Sequence, residues 1–420
     1  MTTGKQEKRA FTLVATLATL AILAVTAVTT PGAARAQSLA IRAGTVHTMA
    51  GPPISDGVIV IRDGRIESIG PGASTPVPAG FRLLTATVAT PGLVDAHSVV
   101  GLAGYLNQPH DQDQLERSAP MQPQLRAIDA YNAQEPLVGW LRSFGVTTIH
   151  TGHGPGALVS GQTMIAKTRG STVDEAVVRP LAMIASNLGP SALAEKEKSP
   201  GTRAKQMSLL RSALIRADEY RKKVTAAGAA EKPPRDLELE ALASVLDGKT
   251  PLLVTVNRAQ DILSALRLAA EFRIRVVLDG AAEAYLVLDE IRAAGVPVIL
   301  HPSMARAFDE RENLSFETAS RLKAAGIPFA LQSGYESYVP KTRVVLFEAG
   351  IAAANGLELA DALAAITLDA AKVLGVADRV GSLEKGKDGD VALFDGDPFE
   401  YTTHVTGVVI DGVVVSEASR

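Results

Sequence analysis

A short turn motif that occurs twice in the second half of the chain restricts the folds open to it. Ala293-Ala294-Gly295-Val296-Pro297 and Ala324-Ala325-Gly326-Ile327-Pro328 lie 31 residues apart, and each leads into an apolar run. A glycine followed by a proline ends a helix, because glycine accepts a left-handed backbone and proline cannot donate the next hydrogen bond. The spacing is typical of one strand–helix unit and predicts parallel strands joined by helices.

Residues 85–375 contain more units of this kind. Apolar stripes at helical spacing, such as Ile262, Leu266 and Phe272, alternate with short apolar runs that have no polar face, as in parallel strands buried on both sides. The predicted strands are Thr87–His97, Val146–His150, Val178–Ile184, Leu252–Val256, Val276–Leu278, Val298–His301 and Phe329–Gln332. This alternation favours an α/β fold with a TIM (β/α)₈ barrel over an open sheet, and one more strand is expected between Ile184 and Leu252.

The two ends of the chain follow a different pattern. Residues 37–84 and 376–420 are rich in short β runs, and Asp63-Gly64 and Asp411-Gly412 each separate two such runs. Asp-Gly is a strong signal for a two-residue hairpin turn. We therefore expect both ends to pair into one small composite β-sandwich beside the barrel.

Residues 1–36 have the layout of a secretory signal peptide. Lys5, Lys8 and Arg9 precede an uncharged apolar run from Phe11 to Val28, and Ala34-Arg35-Ala36 resembles a cleavage site. An uncleaved membrane anchor is the alternative, since the run could nearly span a bilayer. We expect export to the periplasm or the cell exterior, without stable membrane insertion after cleavage.

Composition narrows the partners of the chain. The formal charge of −3 disfavours nucleic acid and anionic membrane surfaces. The chain has no cysteine, which excludes disulfides, thiolate zinc sites and a cysteine nucleophile. A small-molecule substrate is the expected partner, and a homo-oligomer remains open.

Histidines concentrate where predicted strands end. Of seven histidines, His97, His150, His153 and His301 lie at or just after predicted strand C-termini. Barrel active sites form at these ends, so the four side chains are expected to meet in one pocket. Asp111 or Asp113, in the loop after the first strand, could join them, although a solvated loop explains both equally well.

Several ordered motifs now point to a family. Pro91-Gly92-Leu93-Val94-Asp95-Ala96-His97 resembles the first-strand signature of the amidohydrolase superfamily, usually P-G-[LF]-[IV]-D-x-H-x-H. Gly145-Val146-Thr147-Thr148 is similar to its second-strand entry, and the stretch from Gly381 to Pro398 to its return into the small domain. The resemblance is nearest to the exported, imidazolonepropionase-like branch. It implies a hydrolase of C–N bonds in which one or two divalent metals, expected as zinc, activate water.

The chain departs from that family at most polar positions. His97 keeps the first ligand position, whereas Val99 fills the second. Asn257 and Asp279 stand where the family has histidines, and Ser333 stands where it has an aspartate. A relocated site is therefore predicted, with His97, His150 and His153 as metal ligands. Its other predicted members are His301 and Asp279 as catalytic residues and Asn257, Tyr335 and Lys341 as substrate-binding residues.

Three functions remain open at this point. The first is a metal-dependent hydrolase that acts on a cyclic amide, a peptide-like bond or another C–N bond. The second is a binding or scaffold protein that kept the fold and lost the chemistry. The third is a metal-independent enzyme that uses histidine and carboxylate as acid and base.

Overall fold

The computed structural model describes residues 38–194, 198–226, 232–335 and 344–417. The predicted signal peptide, residues 1–36, lies outside the described residues and stays a prediction. Within the described ranges, no helix combines the length and the apolar composition needed to cross a bilayer.

The strands fall into three hydrogen-bonded sheets. Their bounds are β1 Leu39–Val46, β2 Ile54–Arg62, β3 Arg65–Pro71, β4 Arg82–Pro91, β5 Leu93–Ser98, β6 Val146–Thr151, β7 Val159–Gln162, β8 Met164–Lys167, β9 Val177–Arg179, β10 Ile184–Asn187, β11 Leu252–Val256, β12 Val276–Gly280, β13 Val298–Leu300, β14 Phe329–Leu331, β15 Val391–Phe394, β16 Val405–Ile410 and β17 Val413–Ser416.

Helices separate most strands of the central region. Their bounds are α1 Pro136–Ser143, α2 Val173–Ala176, α3 Arg203–Ala226, α4 Leu237–Leu246, α5 Ala259–Phe272, α6 Leu288–Ala294, α7 Thr318–Ala324, α8 Val345–Ala354, α9 Leu359–Ala365 and α10 Leu368–Val373. Gly295 follows α6 with φ +64°, and Gly326 lies two residues after α7 with φ +70°. Both glycines adopt the left-handed conformation that ends a helix, as the repeated turn motif predicts.

Both ends of the chain enter one seven-stranded sheet, in the order β17-β16-β15-β4-β1-β2-β3. β15 pairs antiparallel with β4 and so joins the C-terminal strands to the N-terminal ones. Hydrogen bonds from Gly389 N to Gly64 O (2.8 Å) and from Gly412 N to Gly389 O (3.0 Å) connect the hairpin turns at opposite edges. Strands from both ends of the chain therefore lie in one continuous sheet, and their buried side chains form a shared apolar cluster.

The central strands form two further sheets, one of six strands and one of four. Strands β10 to β14 run parallel, and β5 runs parallel to β6. A parallel bridge between Ser98 and Gly334 links β5 to the segment after β14. One buried cluster takes a side chain from each of seven strands, namely Val94, Ile165, Ala185, Leu253, Val277, Ile299 and Ala330. This common layer is what strands arranged around one interior produce.

The region near the third strand differs from the sequence prediction. No strand lies between Asn187 and Leu252 in the described part of that interval, where α3 and α4 lie instead. The sheet positions next to β10 and β6 are taken instead by β7 and β8, which pair antiparallel with them. Because β7 contains glycine and polar residues, it does not show the apolar run that predicts a strand. The predicted strand Val178–Ile184 is split into β9 and β10 around Pro180, which cannot donate a ladder hydrogen bond.

The position of Gly92, in the first-strand motif, leaves no room for a side chain. A Cβ on Gly92 would overlap the side chain of Thr147, which is fully buried. We predict that Gly92→Ala lowers the free energy of unfolding by about 1–3 kcal/mol through overpacking. Urea denaturation measures the loss. Gly51→Ala, where nothing lies within 4 Å of the added Cβ, is the control and should leave stability unchanged; equal effects at both sites would refute this explanation.

Candidate active site

A cavity of about 320 Å³ opens at the C-terminal ends of the parallel strands. Such ends carry the active sites of strand–helix barrels. The lining includes His97, Thr255, Asn257, Asp279, His301, Glu310, Gln332 and Tyr335. A larger hollow of about 810 Å³ lies at the opposite strand ends, bordered by Pro251, Pro297 and Pro328, and contains no histidine. The smaller, polar cavity is therefore the candidate active site.

A buried histidine–aspartate pair forms the centre of this cavity. His97 Nδ1 donates to Asp279 Oδ1 at 3.0 Å, and the other nitrogen, Nε2, has no hydrogen-bond partner. Thr255 (2.6 Å) and Gln332 (2.9 Å) also donate to the Asp279 carboxylate and fix its orientation. The neutral imidazole thus carries its proton on Nδ1 and leaves a lone pair on Nε2.

The pKa values of both members of this pair are shifted from their ordinary values. Burial disfavours charge on His97, but attraction to Asp279 outweighs it and raises the pKa of His97 above its ordinary 6.5. Burial likewise opposes ionisation of Asp279, yet His97 lowers the pKa of that carboxyl. Below these residues, burial raises the pKa of Asp95 to about 6, while its carboxylate accepts from Ser333 N at 3.0 Å.

His301 enters the same cavity from the end of β13. Its Nδ1 donates to the Pro302 carbonyl at 3.0 Å, and its Nε2 is buried without a partner. Burial lowers the pKa of His301 to about 4, so the ring is neutral at pH 7. His301 therefore presents a second lone pair to the cavity.

The other two predicted histidines behave differently. His150 packs beside His97 with ring centroids 5.4 Å apart, but both its nitrogens have partners, Ala96 O at 2.7 Å and Thr163 Oγ1 at 2.6 Å. Burial lowers its pKa to about 3. His153 is buried beside Gly161 and does not line the cavity. The four histidines thus converge only in part.

Some of the remaining predicted site residues line the cavity and others do not. Asn257 lines the cavity, with Oδ1 unpartnered and Nδ2 3.5 Å from Glu310. Tyr335 lines it too, and its hydroxyl accepts from Gln114 at 3.0 Å. Lys341 lies outside the described residues. Asp111 accepts from Leu106 N and Gln108 N within its own loop, which matches the solvated-loop interpretation.

Sequence reasoning did not identify Thr255, Gln332 and Glu310 as site residues. Thr255 and Gln332 hold Asp279, and they lie on or beside strands whose C-terminal ends were already predicted to form the site. Reading the strand-end residues on both sides of each predicted ligand would have found them. Glu310 lies in the loop after β13, and no motif marks it.

The side chains present do not fit a divalent-metal centre of the predicted kind. Among the described residues, no group of three or more histidines, aspartates and glutamates is arranged to hold a metal ion. Among the described residues that line the cavity, His97 and His301 each have a buried imidazole nitrogen without a partner, and Asn257 has a buried amide oxygen without one. His150 is fully hydrogen-bonded, and Val99 offers no donor atom. Glu310 lines the same cavity, but among the described residues it is not grouped with the two imidazoles as ligands of one ion, so the three convergent ligands of a catalytic zinc site are not assembled.

Comparison with known proteins identifies the family. Residues 279–415 match the family model described as Amidohydrolase family. An amidohydrolase from Thermotoga maritima superposes with a TM-score of 0.85 at 29% identity, over 90% of this chain and 100% of that one. The chain belongs to the amidohydrolase superfamily. It is an imidazolonepropionase-like member: the imidazolonepropionase of Mesorhizobium japonicum is 26% identical over 375 residues, which are 81% of this chain and 87% of that protein.

A second curated relative is much longer. The amidohydrolase tasK of Hapsidospora irregularis is 26% identical over 363 residues, which are 77% of this chain but only 36% of that protein. This chain therefore spans about a third of the length of tasK. The solved amidohydrolase structures imply a TIM barrel with an extra domain, and members of this family generally use a divalent metal.

Proposed function

We propose that this amidohydrolase cleaves C–N bonds of a small molecule, a cyclic amide or a peptide-like compound, in the cavity that His97 lines. The proposal rests on the His97–Asp279 pair, in which His97 lines the cavity and its Nε2 has no hydrogen-bond partner. Its hydrolytic character is supported by family membership and by relatives named as hydrolytic enzymes. The cavity is within the usual size range for small ligands.

In the proposed step, His97 acts as base and then as acid. Neutral Nε2 takes a proton from a water molecule as the water oxygen bonds to the carbonyl carbon of the substrate. The C–N bond breaks when His97 returns the proton to the leaving nitrogen. Asp279 is a positioning residue, because it holds the ring through Nδ1 and stabilises the transient imidazolium.

The proposed step involves no metal ion. Zinc held by His97, His150 and His153 was the expectation, and the donor atoms present do not support it. Catalysis here is assigned to side chains of this chain alone.

The pH dependence of hydrolysis tests the role of the pair. His97 must be unprotonated to act as base, so kcat/KM should fall as pH drops through a pKa above 6.5. In Asp279→Asn the attraction is removed and burial remains, so the acidic limb should move to lower pH while the rate also falls. The measurement is the pH profile of kcat/KM for both proteins; an unshifted limb in the variant would contradict the assignment.

A non-catalytic binding protein is the second candidate. Val99 and Ser333 favour it, since neither can supply the ligand or the base that the family uses at those positions. A ligand that binds in the cavity and is never hydrolysed would support this candidate against the first.

We further propose the setting in which this activity occurs. The motif in residues 1–36 supports export to the periplasm or the cell exterior. The proposed organisation is a closed barrel over residues 85–375 with residues 37–84 and 376–420 as a composite β-sandwich domain. The shared interior layer and the Ser98–Gly334 bridge support closure of the barrel.

A further inference from the structure

Glu310 is a buried carboxylate that lines the cavity. It is 6% exposed, and its two oxygens accept from Ser191 N and, at 3.5 Å, from Asn257 Nδ2. Among the described residues, no lysine, arginine or histidine forms an ion pair with it. Burial of a carboxylate costs free energy unless a positive charge compensates it. The environment of Glu310 therefore favours the binding of a positively charged group.

Two further acceptors around Glu310 lack donors. Asn257 directs Nδ2 toward Glu310, which leaves Oδ1 buried and unpartnered. His301 donates through Nδ1 to Pro302, so its unpartnered Nε2, on a side chain 1% exposed, can only accept. A buried acceptor without a donor is unfavourable. Glu310, Asn257 and His301 therefore present acceptor atoms to one small cavity.

The backbone keeps these acceptors close together. His301 N donates to Gly280 O at 2.7 Å, and a Cβ on Gly280 would lie 2.8 Å from Asn257 Oδ1. Gly280 directly follows Asp279, the partner of His97. The three acceptor residues thus line the same cavity as the proposed acid–base pair.

Aromatic and arginine side chains also line the cavity. Phe308, 54% exposed, and Tyr335 both contribute to the lining and offer aromatic faces. The guanidinium groups of Arg117 and Arg311 also line the cavity. Arg311 lies close enough to His301 to contribute to the lowering of its pKa, which keeps that imidazole neutral and accepting.

We propose that Glu310, Asn257 Oδ1 and His301 Nε2 form a subsite for a positively charged nitrogen group of the substrate, an ammonium, amidinium or guanidinium. Such groups carry several N–H donors and a charge, which matches two neutral acceptors and one carboxylate. The inference deepens the proposed function, on which it rests for calling the ligand a substrate. It assigns the substrate class to amines and amidines with a hydrolysable C–N bond near His97.

Binding of simple probes tests the subsite without any turnover. Benzamidine and benzylamine are titrated calorimetrically against the full chain after treatment with a chelator, beside their neutral isosteres benzamide and benzyl alcohol. We expect each cation to bind at least about tenfold more tightly than its isostere. Equal affinity within each pair would overturn the proposal, as would binding that appears only after a metal is added.

Two adjacent acidic residues provide a matched pair of variants. Glu310→Gln should weaken the cations about tenfold or more and leave the neutral probes unchanged. Asp309→Asn removes the same charge from an exposed side chain at the same cavity, where solvent screens it, and should change affinity less than about threefold. Asn257→Leu is the second test of the subsite and should also weaken the cations selectively.

The outcomes separate this inference from the proposed function. Equal effects of the variants at 309 and 310 would show that general charge attracts the probes and would refute the subsite. Thermal unfolding of each variant shows whether it is folded. Selective cation binding without hydrolysis of any substrate would leave the subsite in place and count against the hydrolase.

Discussion

His97→Gln should reduce kcat for hydrolysis by roughly 10²- to 10⁴-fold, the range expected when a general base is removed. Glutamine can still donate to Asp279, so the buried carboxylate keeps a partner and the fold is expected to persist. What disappears is the unpartnered Nε2 lone pair of His97. The measurement is kcat on a panel of dipeptides and lactams, with thermal unfolding recorded for the same preparations.

A matched histidine outside the cavity serves as control for this substitution. His404 lies just before β16 and contacts Asp395 at 3.0 Å with about half of its side chain exposed. His404→Gln should leave kcat unchanged. If His97→Gln retained a kcat within about threefold of wild type, His97 would not be the base.

Lys167→Met should lower the free energy of unfolding by about 3–5 kcal/mol, the usual cost of breaking a buried ion pair from one side. Lys167 is at the end of β8 with only 3% of its side chain exposed. Its ammonium lies 3.1 Å from Asp388 and 3.4 Å from Asp411, and it also contacts Asp390. Without it, three carboxylates from the C-terminal segment lose their shared cation.

The ion pairs of Lys167 connect β8, in the central region, to the C-terminal segment of the composite sheet. Asp411 lies in the turn between β16 and β17, and Asp390 precedes β15, so loss of Lys167 should loosen both contacts. Urea denaturation measures the effect, with Lys249→Met as control, since Lys249 pairs with Asp247 while 74% exposed. A loss no larger than that of the control would contradict the structural role.

Much of the fold could be predicted because its signals are local. The Asp63-Gly64 and Asp411-Gly412 hairpins follow from residues that accept positive φ, and β11 spans the predicted Leu252–Val256. Strands β7 and β8, which pair antiparallel with β10 and β6, were missed because β7 holds Gly161 and polar residues. Their pairing is long-range and leaves no local pattern.

The site was predicted less completely than the fold. His97, Asp279, Asn257 and His301, all near predicted strand ends, line one cavity. Residue type alone cannot reveal hydrogen-bond partners, so the sequence could not show that Ala96 and Thr163 occupy both nitrogens of His150. Nor could it reveal that the loop after β13 places Glu310 against Asn257.

Hydrolysis by metal-free protein tests the central claim most directly. The full chain is treated with a chelator, its metal content is measured, and C–N bond cleavage is assayed on the dipeptide and lactam panel across pH. The account predicts turnover that survives removal of metal, rises with pH through a pKa above 6.5 and depends on His97. Turnover that vanishes with the metal and returns when zinc is added, or no turnover at all, would contradict it.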